Sequence, residues 1–295
     1  MKKTLCATGL AHAEGPTVLP NGNVVFCHCY YGSLGVWKPG VKGIAEFAKV
    51  GGGPNGSVLG GDKHVYVANN GGAVGPFRSA DFGPGSIQKA AFDGTVKTVA
   101  REVASIQLNM PNDLVFGRDK RLYFTDPGRW DAANRPDPGR LFVLNPDGSG
   151  ELFANVGNTY PNGIVAEADG SIVWVETYTQ KVRRKAPDGT VSDVCQLPSN
   201  AYPDGLAVAE NGDLYITTLS SGGMHIVKPD GSAIQYLDLD GTVLSNCVFE
   251  GSTMFVTDMG GPAGVTAHAV AIGKLWQLDM PVAGMPMFRG AIAAR

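Results

Sequence analysis

Charge is scarce in this chain. Only 17% of its 295 residues are Asp, Glu, Lys or Arg, the net charge is −3, and basic residues form no block. A nucleic-acid surface needs a concentrated positive footprint, so no nucleic-acid partner is expected. No apolar run approaches the length that spans a bilayer, so no membrane partner is expected either. Cysteine is sparse and odd in number: Cys6, Cys27, Cys29, Cys195 and Cys247. That scatter is no disulfide framework. Cys27-His28-Cys29 invites a metal reading, but on a strand His28 would point away from both thiols, leaving buried strand cysteines as the expectation. His12 and His268 are isolated, and surface or packing roles are expected for them before proton transfer. A helical apolar period of useful length is also missing, which leaves strands as the building element.

What the chain has is turns: 41 Gly and 19 Pro. It also repeats. A polar residue at a turn, an apolar run, a tight turn and a second apolar run occur together at Glu14-Gly15-Pro16, Pro54-Asn55-Gly56, Pro111-Asn112-Asp113, Pro161-Asn162-Gly163, Pro203-Asp204-Gly205 and Ser245-Asn246-Cys247. From the polar residue to the end of the second run is 14 positions in five copies, as in Asn55 to Asn69 and Asp204 to Thr218, and fewer in the sixth, Asn246 to Asp258. Each copy reads as a strand hairpin. A second pair of strands follows each, turning at Lys38-Pro39-Gly40, Asp93-Gly94, Pro146-Asp147-Gly148, Pro187-Asp188-Gly189 and Pro229-Asp230-Gly231, where Gly supplies the positive φ a hairpin needs. Units of four antiparallel strands with this length are propeller blades. The fold class is therefore all-β, a six-bladed β-propeller, with residues 1–295 as one propeller domain.

The last blade has only Gly273 to Leu278 as a clear third strand, so Lys3 to Leu10 is expected to supply its missing edge and close the ring. The same N-terminus has the outline of a signal peptide, but cleavage after Ala13 would leave Glu14 as the first residue. A closing strand in a cytoplasmic protein is the reading preferred here.

Connections after the first and third strands are short, and those after the second and fourth are long. The long loops, including Asn70 to Ser86, Pro127 to Gly139 and Met259 to Ile272, thus share one face, where function usually sits. Every inner strand opens on that face, which puts Glu14, Asn55, Asn112, Asn162, Asp204 and Asn246 in a ring around the axis. Turn chemistry alone accounts for Asn-Gly and Asp-Gly, with the glycine relieving strain. It does not account for Glu14. Two carboxylates and several amide oxygens converging on one axis repel one another unless a cation lies between them. Hard oxygen donors favour one divalent ion, Ca²⁺ first, with Mg²⁺, Mn²⁺ or Zn²⁺ as alternatives.

These motifs, together with Leu122-Tyr123-Phe124-Thr125-Asp126-Pro127, resemble the family of senescence marker protein, gluconolactonase and luciferin-regenerating enzyme, related more distantly to diisopropyl fluorophosphatase and paraoxonase. The resemblance spans most of the chain. It implies a divalent metal held by Glu14, Asn162 and Asp204, with Asn112 touching metal or substrate and Asp113 as a supporting carboxylate behind them. The implied reaction is lactone hydrolysis, with Asp204 as general base for water or, failing that, as nucleophile. Sugar-lactone members carry an Arg two positions before the Asn matched by Asn112; here that position is Met110, which donates no hydrogen bond. A small-molecule lactone or ester of low hydroxylation is therefore expected, in a pocket lined by Met110, Asn55, Arg129, Trp130 and Tyr160, with Phe77, Arg78, Phe82 and Tyr202 as further loop candidates. Two alternatives remain at this point: a propeller that binds a ligand or partner without chemistry, and a metal-dependent lyase or isomerase on the same scaffold. The oligomeric state stays open.

Overall fold

A computed structural model describes residues 1–74, 77–241, 243–261 and 272–294. His268 lies outside the described residues. Six four-stranded antiparallel sheets surround a central axis. Blade one is Ala13–Val18, Val24–His28, Ser33–Trp37 and Ile44–Lys49, and blade two is Pro54–Leu59, Val65–Asn69, Ser86–Ala90 and Val96–Ala100. Blade three is Leu114–Phe116, Leu122–Asp126, Gly139–Leu144 and Gly150–Gly157. Blade four is Pro161–Ala166, Ile172–Glu176, Lys181–Lys185 and Val191–Gln196, and blade five is Pro203–Val208, Leu214–Thr218, Gly223–Val227 and Ile234–Asp238. Blade six runs Leu244–Glu250, Thr253–Asp258 and Gly273–Asp279, and its outer strand is Lys3–Leu10. Lys3 faces Leu278 and Leu10 faces Gly273, so the first strand of the chain completes the last sheet. Among the described residues the one helical turn is Cys29–Tyr31.

The core lies between blades rather than inside one. Inner strands such as Pro161–Ala166 and Pro203–Val208 are buried along their whole length, whereas an outer strand such as Val191–Gln196 is largely exposed. Apolar clusters fill the wedges: Tyr66 and Ile87 of blade two meet Phe116, Phe124 and Phe142 of blade three, and Met224 of blade five meets Phe249 and Met254 of blade six. Edge-to-face rings, Tyr66 on Phe116 at 5.1 Å and Tyr215 on Phe249 at 5.3 Å, add to the area they bury.

At the axis the inner strands come too close for side chains. A Cβ on Gly15 would lie 2.5 Å from Asn55 O, on Gly163 2.4 Å from Asp204 O, and on Gly205 2.4 Å from the Asn246 side chain. Of these three glycines only Gly15 has positive φ. The glycine after the polar residue thus serves the approach of the next blade more than the turn, which corrects the sequence reading.

Hydroxyls then stitch blade to blade. Ser57 Oγ donates to Gly15 O (2.6 Å), Thr125 Oγ1 to Asn162 O (2.8 Å), Thr177 Oγ1 to Pro203 O (2.7 Å), Thr217 Oγ1 to Ser245 O (2.7 Å) and Ser245 Oγ to Ala13 O (2.7 Å). These bonds satisfy carbonyls that neighbouring blades would otherwise bury unpaired.

Residues 280–294 cross the face of short hairpins, a path without sequence signal. Met285 N bonds Val208 O, Gly61 N bonds Gly290 O, and Ala293 N bonds Pro146 O. Ile292 N donates to Tyr66 Oη at 2.8 Å, and Lys89 Nζ donates to Ile292 O at 2.7 Å. With Met285, Met287 and Phe288 the tail covers an apolar pocket whose walls include Val115, Val165, Val208 and Val248. No charged side chain lines that pocket, so the chemistry of the axis lies at the other end.

Removing Lys3–Leu10 would lose its ladder to Gly273–Asp279 and leave that strand as an open edge. A chain beginning at Ala11 is expected to melt well below the full chain or to aggregate; an unchanged thermal midpoint in calorimetry would show that the closing strand contributes nothing.

Candidate functional site

The ring is built by a break in five of the six inner strands, blade three alone pairing without a slip. Register slips between Glu14 and Thr17, Pro161 and Ile164, Pro203 and Leu206, Pro54 and Gly56, and Leu244 and Asn246. Irregularities of this kind re-aim a side chain at a sheet end. In three blades a strained residue sets up the break. His12 (φ 51°), Tyr160 (φ 57°) and Tyr202 (φ 46°) each stand two positions before Glu14, Asn162 and Asp204. Bulky residues avoid this left-handed region, at a cost of about 1 kcal/mol or more each. Each is held there by one equivalent bond: His12 O accepts Cys29 N at 3.3 Å, Tyr160 O accepts Thr177 N at 2.9 Å, and Tyr202 O accepts Leu219 N at 3.0 Å.

Glu14, Asn55, Asn112, Asn162, Asp204 and Asn246 are all buried at the axis, as is Asp113. The Glu14 and Asp204 carboxyls lie close enough to perturb each other. Burial, then the charge of Asp204, then that of Asp113, push the Glu14 carboxyl well above its ordinary value. Burial and then Asp113 do the same to Asp204. The offsetting partners are neutral: Gly15 N, 3.1 Å from Glu14 Oε2, the Asn246 side chain on Glu14, and the Asn162 amide on Asp204. Asn162 Nδ2 also donates to Thr177 Oγ1 at 3.1 Å. Asp113 crosses the channel: Asn246 Nδ2, from the opposite blade, donates to its Oδ2 at 3.3 Å, while Leu114 N donates to Oδ1 at 2.9 Å. Burial still raises its pKa to about 6.

Among the described residues one ring acceptor is fully buried without a partner, Asn112 Oδ1. Among the described residues no group of three or more His, Cys, Asp or Glu side chains is arranged for a metal. The ring offers two carboxyls and amide oxygens instead. That donor set suits a hard divalent cation, and it suits little else at neutral pH, because converging acids otherwise stay protonated.

The loop residues divide. Trp130, Tyr160 and Tyr178 pack as one cluster, with ring centroids 4.9, 5.0 and 5.4 Å apart. Tyr160 belongs to the ring's surroundings, since Glu14 and Asp204 both act on its phenol. Met110 is half-buried, and its backbone N donates to Asp126 Oδ1 at 2.6 Å. Arg129 is 61% exposed and its guanidinium is bonded to Asp137 of the same loop at 3.0 Å. Phe82 is 59% exposed, whereas Phe77 stacks on Tyr30 at 4.3 Å. His12 is buried against Tyr30 at 4.8 Å, and burial lowers its pKa to about 4, so it is a neutral packing residue.

Cys29 was missed. The strand ends at His28, so Cys29 escapes the alternation that sequence reasoning applied to it. Its buried thiol lies 3.9 Å from Asn55 Oδ1, and His28 packs on Phe26 and Tyr31 instead. The signal available was Tyr30-Tyr31-Gly32, a turn at the strand's end.

A six-bladed propeller with an acid-and-amide ring at one end of its axis is the class that fold and site define. Within that class the chain belongs to the SMP-30/Gluconolactonase/LRE-like region family, whose profile matches residues 12–260. It is similar to a gluconolactonase of Zymomonas mobilis, 26% identical over 294 residues that cover 85% of this chain and 77% of that protein. Solved structures share the fold. A gluconolactonase of Xanthomonas campestris has a TM-score of 0.74 at 21% identity, covering 95% of this chain and 89% of the other. Regucalcin of Agrobacterium tumefaciens, a calcium-binding protein, has a TM-score of 0.75 at 16% identity, covering 96% and 94%.

A raised carboxyl pKa means that the folded chain keeps a proton the unfolded chain has released. Stability from Asp113 is therefore present below its unfolded value, near 3.8, and is lost as pH rises through about 6. His12 and His28, both lowered by burial to about 4, act in the opposite sense. Their contribution cancels in a difference between variants. With chelator present, Asp113→Asn is expected to gain about 2 kcal/mol on the wild type between pH 4 and pH 7 and little above. Denaturant titrations at each pH check this; a pH-independent difference contradicts it.

Proposed function

We propose that this protein is a divalent-metal-dependent lactonase whose metal is held by Glu14, Asn162 and Asp204, with Asn112 as a further oxygen donor. The observation that carries the reading is the meeting of two buried carboxyls with an unpartnered amide oxygen, Asn112 Oδ1, on one axis. Two carboxylates carry −2, which balances one divalent ion, and calcium is the first choice for oxygen donors. When bound, such an ion polarises the carbonyl of a lactone.

The chain's own groups do the rest. Asp204 takes the proton of the attacking water and, by returning it to the ring oxygen, lets the ring open. Thr177 Oγ1 holds the Asn162 amide, and Asp113 fixes the far side of the channel through Asn246. Trp130, Tyr160 and Tyr178 form an aromatic wall beside the ring. With Met110 where a hydroxyl-binding Arg would stand, and Arg129 committed to Asp137, the pocket favours a lactone or ester with few hydroxyls.

Asp204→Asn keeps the shape and one ligand oxygen but removes the base. It should fold, hold metal more weakly and lose at least about 100-fold in kcat. Turnover near that of the wild type with saturating Ca²⁺, across pH 6 to 9, would remove Asp204 from the mechanism. A lactone panel assayed after chelation and re-addition of Ca²⁺, Mg²⁺, Mn²⁺ or Zn²⁺ tests the whole reading.

Met110→Arg supplies the missing donor. Activity on aldonolactones such as gluconolactone is expected to rise relative to dihydrocoumarin, by about tenfold for one added hydrogen bond. A wild type that already prefers gluconolactone strongly over apolar lactones contradicts the substrate assignment.

A further inference from the structure

Blade three reaches the ring in its own way. Its inner strand pairs without a slip, and Met110, two positions before Asn112, is not left-handed. Neither device that aims the other ring residues operates there. Another contact holds the approach to Asn112. Asp126 ends the second strand of the blade and is 1% exposed. It accepts Asn109 N through Oδ2 at 2.8 Å and Met110 N through Oδ1 at 2.6 Å. On its other side the segment meets blade two, where a Cβ on Gly85 would lie 2.5 Å from Asn109 O and 2.6 Å from Pro111 Cδ. The approach is therefore gripped by its backbone from both sides.

The other blades show why an acid stands at this place. In blades one, four and five the residue two before the ring offers its carbonyl, and a backbone N–H beyond the second strand answers it. In blades two, three and six the approach presents N–H groups instead, and the last residue of the second strand answers with a side-chain oxygen. Asn69 Oδ1 takes Gly53 N at 3.0 Å, and Asp258 Oδ1 takes Val243 N at 3.1 Å. Asp126 takes two such groups, one on each oxygen, an arrangement that an amide with its single oxygen cannot copy.

We propose that Asp126 is a positioning residue for substrate: by clamping the N–H groups of Asn109 and Met110 it fixes Met110 at the pocket wall. Asn112 has its own bond, from its N to Thr125 O at 2.9 Å, and Glu14, Asn162 and Asp204 stand on other blades. The clamp thus acts on substrate fit and leaves the metal donors and the base in place. The proposal rests on the lactonase reading of the ring.

The test pairs amide hydrogen exchange with kinetics on the Ca²⁺-loaded full chain, using dihydrocoumarin as substrate. In the wild type the Asn109 and Met110 amides should be protected, although Asn109 is itself exposed. Asp126→Asn should speed their exchange about tenfold or more, the worth of a hydrogen bond to a charged group. It should raise KM about three- to tenfold while kcat and Ca²⁺ affinity stay within about twofold. In a Met110→Ala background the same change should leave KM where it was, because no side chain remains to place. Gly85→Ala presses the same segment from blade two and should raise KM with the same dependence on Met110, so the test stands even where Asp126→Asn does not fold. Amides that exchange freely in the wild type overturn the clamp. An unchanged KM, or a KM penalty that persists in Met110→Ala, overturns the positioning role. A wild type that hydrolyses no lactone overturns the lactonase reading and the substrate role with it, and that pattern is distinct because the amides stay protected.

Discussion

The inner strands of six blades approach one axis so closely that no Cβ fits at Gly15, Gly163 or Gly205. Most of the structure follows from that closeness. Carbonyls brought together at the axis must be satisfied across blades, and Ser57, Thr125, Thr177, Thr217 and Ser245 supply the hydroxyls. The apolar residues are left to fill the wedges further out, where blades diverge. The last blade takes its outer strand from the start of the chain, Lys3–Leu10, which closes the ring by joining first and last segments in one sheet.

The same closeness concentrates charge. Glu14, Asp113 and Asp204 are buried together, and the groups acting on them are acids, amides and backbone N–H. Such a cluster costs stability when ionised. The left-handed turns at His12, Tyr160 and Tyr202 add strain at the same place. Strain and unbalanced charge meeting at one site are what a site kept ready for a ligand looks like.

The blades were legible because their signals are local and repeated: alternation, Pro-Asp-Gly turns and a fixed interval from ring residue to strand end. The ring followed from topology, since the first residue of every inner strand must open at the same end. What was not legible depends on contacts between distant segments. Gly163 looks like a turn residue until Asp204 is seen against it. Thr177 and Ser245 look like ordinary strand residues. Arg129 looked available because its partner, Asp137, sits in the same polar loop with no pattern to announce the pair. Residues 280–294 have no periodicity, and their course is set by single bonds to Val208, Tyr66 and Lys89. Cys29 was misplaced by one residue of strand end, which is the boundary that alternation defines least well.

The central claim is that one divalent ion occupies the axis between Glu14, Asn162 and Asp204. Anomalous diffraction from a crystal soaked in Mn²⁺ tests it directly, because the signal locates the ion whether or not a substrate is known. The account predicts a single strong peak within coordination distance of the Glu14 and Asp204 carboxylates and the Asn162 side chain, with Asn112 Oδ1 turned toward it. A Mn²⁺-saturated crystal with no peak on the axis, or with its peaks only at surface acids, would contradict it.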